Sequence, residues 1–164
     1  FNVAFLAVGN AIGIIIGQLL GAGKTEEAVD TDRKLIAFSI MVGVASGILL
    51  AFLAPIFPRL YNTTEGAKRI AMEMIFAHAL CLPLFAFKNA TYFTLRSGGK
   101  IWVTIIFDSA FLWAVSVPIA FIISRFTAFS VVFIYLSVQA GDILKCILGF
   151  ILVKKRIWVK NIVD

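Results

Sequence analysis

Hydrophobic residues fall into five long runs along the chain, at residues 1–20, 35–57, 70–95, 101–123 and 129–153, with short polar stretches between them. An α-helix rises about 1.5 Å per residue, so roughly 20 apolar residues reach across the ~30 Å hydrocarbon layer of a bilayer. The pattern predicts an all-α, polytopic bundle of about five spanning helices. In the first run Gly9, Gly13, Gly17 and Gly21 recur at every fourth position, on one helical face where a neighbour can approach closely. Gly21 and Gly23 can take the left-handed geometry that closes a helix, which leaves Lys24 at its carbonyl end. Residues 21–34 contain four acids and three bases and read as a solvated amphipathic connector, with Thr31 and Asp32 placed to cap the next helix. Pro55 and Pro58 end the second run. Pro83, in the middle of the third, is expected to kink it and free a backbone carbonyl.

Composition supports the membrane reading. The 164 residues are 61% hydrophobic, include 16 Phe and are only 15% charged, with a mean hydropathy of +0.99. A soluble domain carries about 25% charged residues. The net charge of +6 is accounted for by loop bases, so a nucleic-acid partner is not expected. Cys81 and Cys146 both lie within apolar runs, where neither a disulfide nor a metal site is expected. The chain opens at Phe1 inside an apolar run, and it is expected to be part of a longer protein. With five spans, Lys24, Arg33, Lys34, Arg96, Lys100, Lys154, Lys155, Arg156 and Lys160 share one side, against Arg59, Lys68, Arg69 and Arg125 on the other. The positive-inside rule assigns the richer side, and with it the C-terminus, to the cytoplasm. The aromatic anchor Trp158 within the basic tail suits a headgroup surface.

Charges inside the runs are the most informative positions. Lys88, Asp108 and Lys145 each fall roughly 12–14 Å in from the basic end of their helices. A tight hairpin between the third and fourth runs predicts that Lys88 and Asp108 meet, while Asp142 and Lys145, three apart on one helix, can meet as well. A lone charge at mid-bilayer costs at least about 2.5–3.5 kcal/mol, so pairing is expected. Two readings stand for these residues: structural pairs that fix helix register, or carboxylates that trade a proton or sodium ion for substrate. Glu73 and His78, nearer the opposite surface, pose the same choice. Glu73 can also be solvated or paired with Lys68 or Arg69, and His78 can be a hydrogen-bonded packing residue.

Enzyme chemistry finds little support. There is a single His, too few for the paired ligands of a membrane metalloprotease. Gly23-Lys24-Thr25 ends like a phosphate-binding loop, but the position five residues before Gly23 is Gln18, and the loop follows a membrane helix instead of a strand.

The string Gly17-Gln18-Leu19-Leu20-Gly21-Ala22-Gly23-Lys24, continuing through Glu26-Glu27-Ala28, resembles the G-Q-x-L-G-A-G-K-x-x-E-A signature of multidrug and toxic compound extrusion (MATE) transporters. Leu95-Arg96-Ser97-Gly98-Gly99 is similar to that family's cytoplasmic turn after the fourth helix of a bundle. Asp108, Trp113 and Pro118 also follow its pattern, and the basic tail is similar to its C-terminal end. One departure is Lys100, where the family often has an acid after the glycine. The resemblance implies a twelve-helix antiporter of two six-helix bundles in the plasma membrane, exporting cationic or aromatic small molecules against sodium or protons without a further cofactor. Residues 1–164 would then be helices two to six of the second bundle, with the N-terminal bundle of the same protein as partner. The coupling or substrate candidates are Glu73, His78, Asp108 and Asp142, with Lys88 and Lys145 as charge partners. A lipid-linked saccharide flippase of the wider superfamily and a non-transporting helical membrane subunit are the alternatives; Lys88 and Lys145 keep the first of these open.

Overall fold

The computed structural model describes residues 2–99, 101–105, 109–126 and 130–159, and the described residues are helical with no strand. Helix α1 (Asn2–Gly21) is followed by α2 (Thr25–Leu53), a 3₁₀ turn (Phe57–Leu60) and α3 (Glu65–Ser97). Then come α4 (Ile101–Ile105), a π-helical turn (Leu112–Ser116), α5 (Val117–Phe126) and α6 (Val131–Lys154). Among the described residues α1, α2, α3 and α6 are long and apolar enough to cross a membrane, and Leu112–Arg125 forms a shorter apolar helix. Within the run at 101–123 the described residues comprise α4, the π-helical turn and the start of α5, and residues 106–108 lie outside the described residues. Pro118 sits in the first turn of α5, directly after the π-helical turn, where its missing N–H costs little. Leu80, Phe52 and Val3 are among the many large apolar side chains that face outward, as a lipid-facing surface requires.

α3 is the central element, packing against α1, α2 and α6. Its first turn is capped by Thr64, whose hydroxyl accepts from the Ala67 N–H. Between α1 and α2, Gly23 takes φ = 73°, and the Lys24 N–H reaches the Leu19 carbonyl (3.0 Å) while the Gly23 N–H reaches that of Leu20 (3.1 Å). These are the two bonds of a Schellman ending, and the left-handed residue they require is cheap only for glycine. The glycine stripe on α1 is a packing face at one end only. The Phe93 ring lies directly over Gly9, whereas Gly17 and Gly21 meet open space.

The charged segment after this turn is not a connector. Helix α2 already begins at Thr25, and Thr31 and Asp32 are inside it rather than capping it. Lys24–Glu27 (3.1 Å) and Asp30–Lys34 (2.7 Å) are spaced i,i+3 and i,i+4 on its outer face, a spacing that supports an exposed helical turn. Its inner face runs Ala28, Asp32, Ile36, Ser39, Gly43, Gly47, all buried, and packs on α3. A Cβ at Gly43 would come within 2.7 Å of Ala86 Cβ and 3.0 Å of Pro83 Cα. Only glycine permits that approach, and the Ser39 hydroxyl then donates to the Ala86 carbonyl (3.1 Å). Pro83 has no N–H for the Ala79 carbonyl one turn earlier, and that carbonyl faces Gly47, so the bond lost at the proline lies where α2 comes nearest.

The segments expected on the basic side do gather at one end of the bundle. Thr94 on α3 reaches Asp32 on α2, Arg156 in the tail pairs with Glu26 (2.7 Å), and the tail backbone at Trp158 lies against Gly98. Lys100 and Lys160 lie outside the described residues.

Candidate functional site

The third and sixth helices meet along a polar seam within an otherwise apolar bundle. On α3 it is built from His78, Phe85 and Lys88. On α6 it is built from Tyr135, Gln139, Asp142 and Lys145, whose steps of four, three and three keep them on one helical face. Going from the base-poor end toward the basic end, Tyr135 comes first: its hydroxyl lies 2.6 Å from His78 Nδ1 and accepts from Gln139 Nε2 at 3.2 Å. Which of the two donates is set by the imidazole tautomer: a protonated Nδ1 donates to the phenol oxygen, and a bare Nδ1 accepts the phenolic proton. The His78 ring is also edge-on to Phe85, with centroids 5.6 Å apart. His78 and Tyr135 line an open cavity of about 520 Å³ together with Asn2, Leu50, Met74 and Ile75.

Deeper along the seam is an ionic cluster. Lys88 Nζ lies 2.6 Å from Asp142 Oδ2, and Lys145 Nζ lies 3.8 Å from Asp142 Oδ1. One carboxylate is thus shared between two ammonium groups on facing helices. Both cations also rest on aromatic faces, Lys88 4.1 Å from the Phe85 centroid and Lys145 5.0 Å from that of Phe111, an arrangement that offsets part of the cost of removing them from water. The Cys146 thiol, one residue on, approaches the Leu84 carbonyl at 3.8 Å.

The expected pair of Asp142 with Lys145 is present, and the same carboxylate also takes Lys88. Asp108 lies outside the described residues. The packing of α3 against α6 brings Lys88 level with Asp142. Glu73 does not join the seam. It is held by Arg69 at 3.1 Å on the outer turns of α3, with its side chain 43% exposed.

Two participants carried no warning as chemistry. Tyr135 and Gln139 look like ordinary positions in an apolar run, and their only signal is the helical spacing to Asp142. Asp32 is wholly buried; Thr94 Oγ1 donates to its Oδ1 at 2.6 Å, while Oδ2 has no hydrogen-bond partner among the described residues. The signal for Asp32 was its place in the period that runs from Ala28 to Gly47.

A family model described as MatE matches residues 1–122. The probable multidrug resistance protein YoeA of Bacillus subtilis (strain 168) is 24% identical over 137 residues, covering 83% of this chain and 29% of that protein. Multidrug and toxin extrusion protein 1 of Xenopus tropicalis is 23% identical over 145 residues, 88% of this chain and 25% of its own length. The uncharacterized transporter YisQ of Bacillus subtilis (strain 168) is 19% identical over 155 residues, 94% of this chain and 34% of its own. The chain thus spans between a quarter and about a third of the length of these relatives. No solved structure matches it.

Proposed function

Because the chain belongs to the MatE family, we propose that it forms part of the C-terminal bundle of a secondary exporter that moves drugs or other organic cations across the plasma membrane. A sodium or proton gradient drives the exchange, and the C-terminus faces the cytoplasm. The first helix of this bundle and the whole N-terminal bundle belong to the rest of the protein, since alternating access needs two bundles that rock about a central site.

The observation that carries the reading is the seam between α3 and α6, which runs from the cavity at His78 and Tyr135 to the shared carboxylate of Asp142. Ionisable side chains inside a bundle are costly and usually mark an ion or substrate path. In this reading Asp142 is the exchanging group. A proton or sodium ion on it weakens its hold on Lys88 and Lys145, and the contact between α3 and α6 loosens. His78 and Tyr135 stand between the cavity and Asp142 as a relay. Glu73, paired at the surface, is the weakest of the candidates.

The test is gradient-driven efflux of a cationic dye from proteoliposomes containing the full-length protein. Asp142→Asn is expected to abolish the dependence on the imposed gradient. The double variant Asp142→Asn/Lys88→Met, which also removes the cation bonded to Asp142 at 2.6 Å, is expected to fold and still fail to couple. Normal coupling in the double variant would refute the role of Asp142, and Asp108→Asn would then be the next variant. The flippase reading is the second one, favoured by two lysines that share Asp142 in the seam. It predicts no dye transport and translocation of a lipid-linked saccharide instead.

A further inference from the structure

At the basic end of the bundle α2 and α6 both pack on α3 and leave a cleft between them of about 400 Å³, a size typical of ligand sites. Its walls are apolar: Ile36 and Ile40 from α2, Phe87 from α3, Phe150 and Val153 from α6. From Asp32 to Ile40 the cleft follows α2 for about 12 Å, long enough to receive the upper part of an acyl chain. Trp158, from the tail, adds to its wall at the basic end, anchored by a bond from its Nε1 to the Val153 carbonyl (3.3 Å).

The mouth of this cleft has the opposite character. Arg33, Lys154 and Arg156 come together there from α2, α6 and the tail. Arg156 is engaged by Glu26, whereas Arg33 and Lys154 are exposed and hold no ion pair among the described residues. The one acid at the site, Asp32, lies buried on the floor and is held there by Thr94. Two exposed cations at the level where the helices leave the membrane, above an apolar slot, match a single anionic head on a hydrocarbon tail.

We propose that this cleft is a binding site for an anionic phospholipid of the leaflet at the basic end. One acyl chain lies along Ile36, Ile40 and Phe150, and the phosphate is held by Arg33 and Lys154. The proposal does not depend on what is transported. A helix of the same protein filling the slot would need acidic groups at its end to satisfy the same two cations, and it is the competing occupant that the experiment must separate.

The experiment uses the full-length protein, equilibrated in vesicles of phosphatidylglycerol or phosphatidylcholine, extracted and examined by native mass spectrometry through graded detergent washing. Wild type is expected to retain at least one phosphatidylglycerol after phosphatidylcholine has been lost, and millimolar inorganic phosphate should not displace it. Arg33→Gln/Lys154→Gln is expected to lower that retention at least tenfold, and so is Ile40→Trp, which fills the slot without altering its charge. Folding of each variant is checked by size-exclusion profile and circular dichroism. Equal retention of the two lipids, or unchanged retention in both variants, would overturn the proposal. It would equally be overturned by efficient disulfide cross-linking of Ile40→Cys to a cysteine in a helix from the rest of the protein, because that helix would then fill the cleft.

Discussion

Asp142 is the common partner of two lysines, and this makes the energetics of the cluster asymmetric. The Lys88, Lys145 and Asp142 side chains are 17%, 4% and 14% exposed, buried enough that screening by water is incomplete. Replacing Asp142 with Asn removes the carboxylate from both ammonium groups at once. Removing one partner of a buried ion pair typically costs about 3–5 kcal/mol, and that range applies because Lys88 loses the carboxylate 2.6 Å away. Replacing Lys88 with Met is milder. Asp142 keeps Lys145 at 3.8 Å, and the desolvated ammonium removed is itself worth about 2.5–3.5 kcal/mol of insertion cost, so a net loss of about 1–2 kcal/mol is expected. The double variant should be at least ~1 kcal/mol more stable than Asp142→Asn alone, a positive coupling that only neighbours show. Equilibrium unfolding of the full-length protein in SDS-containing mixed micelles measures all three values. If Lys88→Met were as damaging as Asp142→Asn, or if the two losses simply added, the shared-carboxylate arrangement would be wrong.

Two further substitutions probe the contacts that set the helices in place. Gly43→Leu forces a side chain into space already occupied by Ala86 and Pro83 and should cost about 1–3 kcal/mol in the same titration, with Gly43→Ala losing less. Thr94→Val removes the hydroxyl that Asp32 depends on and should lower stability by about 1–3 kcal/mol. Thr94→Ser, which keeps the donor, should recover most of that loss; failure to recover would mean that the methyl group and not the hydrogen bond matters.

What could be read in the chain before folding divides along a physical line. The apolar runs that became α1, α3 and α6 were visible because membrane burial acts on each helix separately and leaves its mark in local composition. The Schellman ending at Gly23 was equally local. The start of α2 was obscured by charge: Glu26, Glu27, Asp30, Arg33 and Lys34 look like a loop, although they lie on the outer face of a helix whose inner face keeps a regular period. The pairing of Lys88 could not be read at all. Depth along a helix follows from residue number, but that α6 lies opposite α3 is a tertiary fact that leaves no mark in either run. Tyr135 and Gln139 became visible as chemistry only when α6 was set against His78.

The two sides of α3 are held by different physics, and this bears on where the bundle can move. Toward α2 the contact is backbone against backbone at Gly43 and Gly47. A surface without long side chains has no alternative rotamers, and its dispersion contacts are lost steeply with separation. Toward α6 the contact is a polar seam whose strength depends on the charge of one carboxylate, 2.6 Å from Lys88 and 3.8 Å from Lys145. A chemical event as small as neutralising Asp142 changes that interface and leaves the α2–α3 interface untouched. Any rearrangement coupled to ion binding is therefore expected to move α6 against a fixed unit of α1, α2 and α3. Distances between paired spin labels, one pair on α2 and α3 and another on α3 and α6, should show the second distribution alone shifting between sodium conditions at constant pH, since Asp32 puts a carboxylate of its own between α2 and α3. A shift between α2 and α3 of equal size would mean that the glycine contact is not the rigid side, and the division of α3 into a fixed and a switchable face would have to be abandoned.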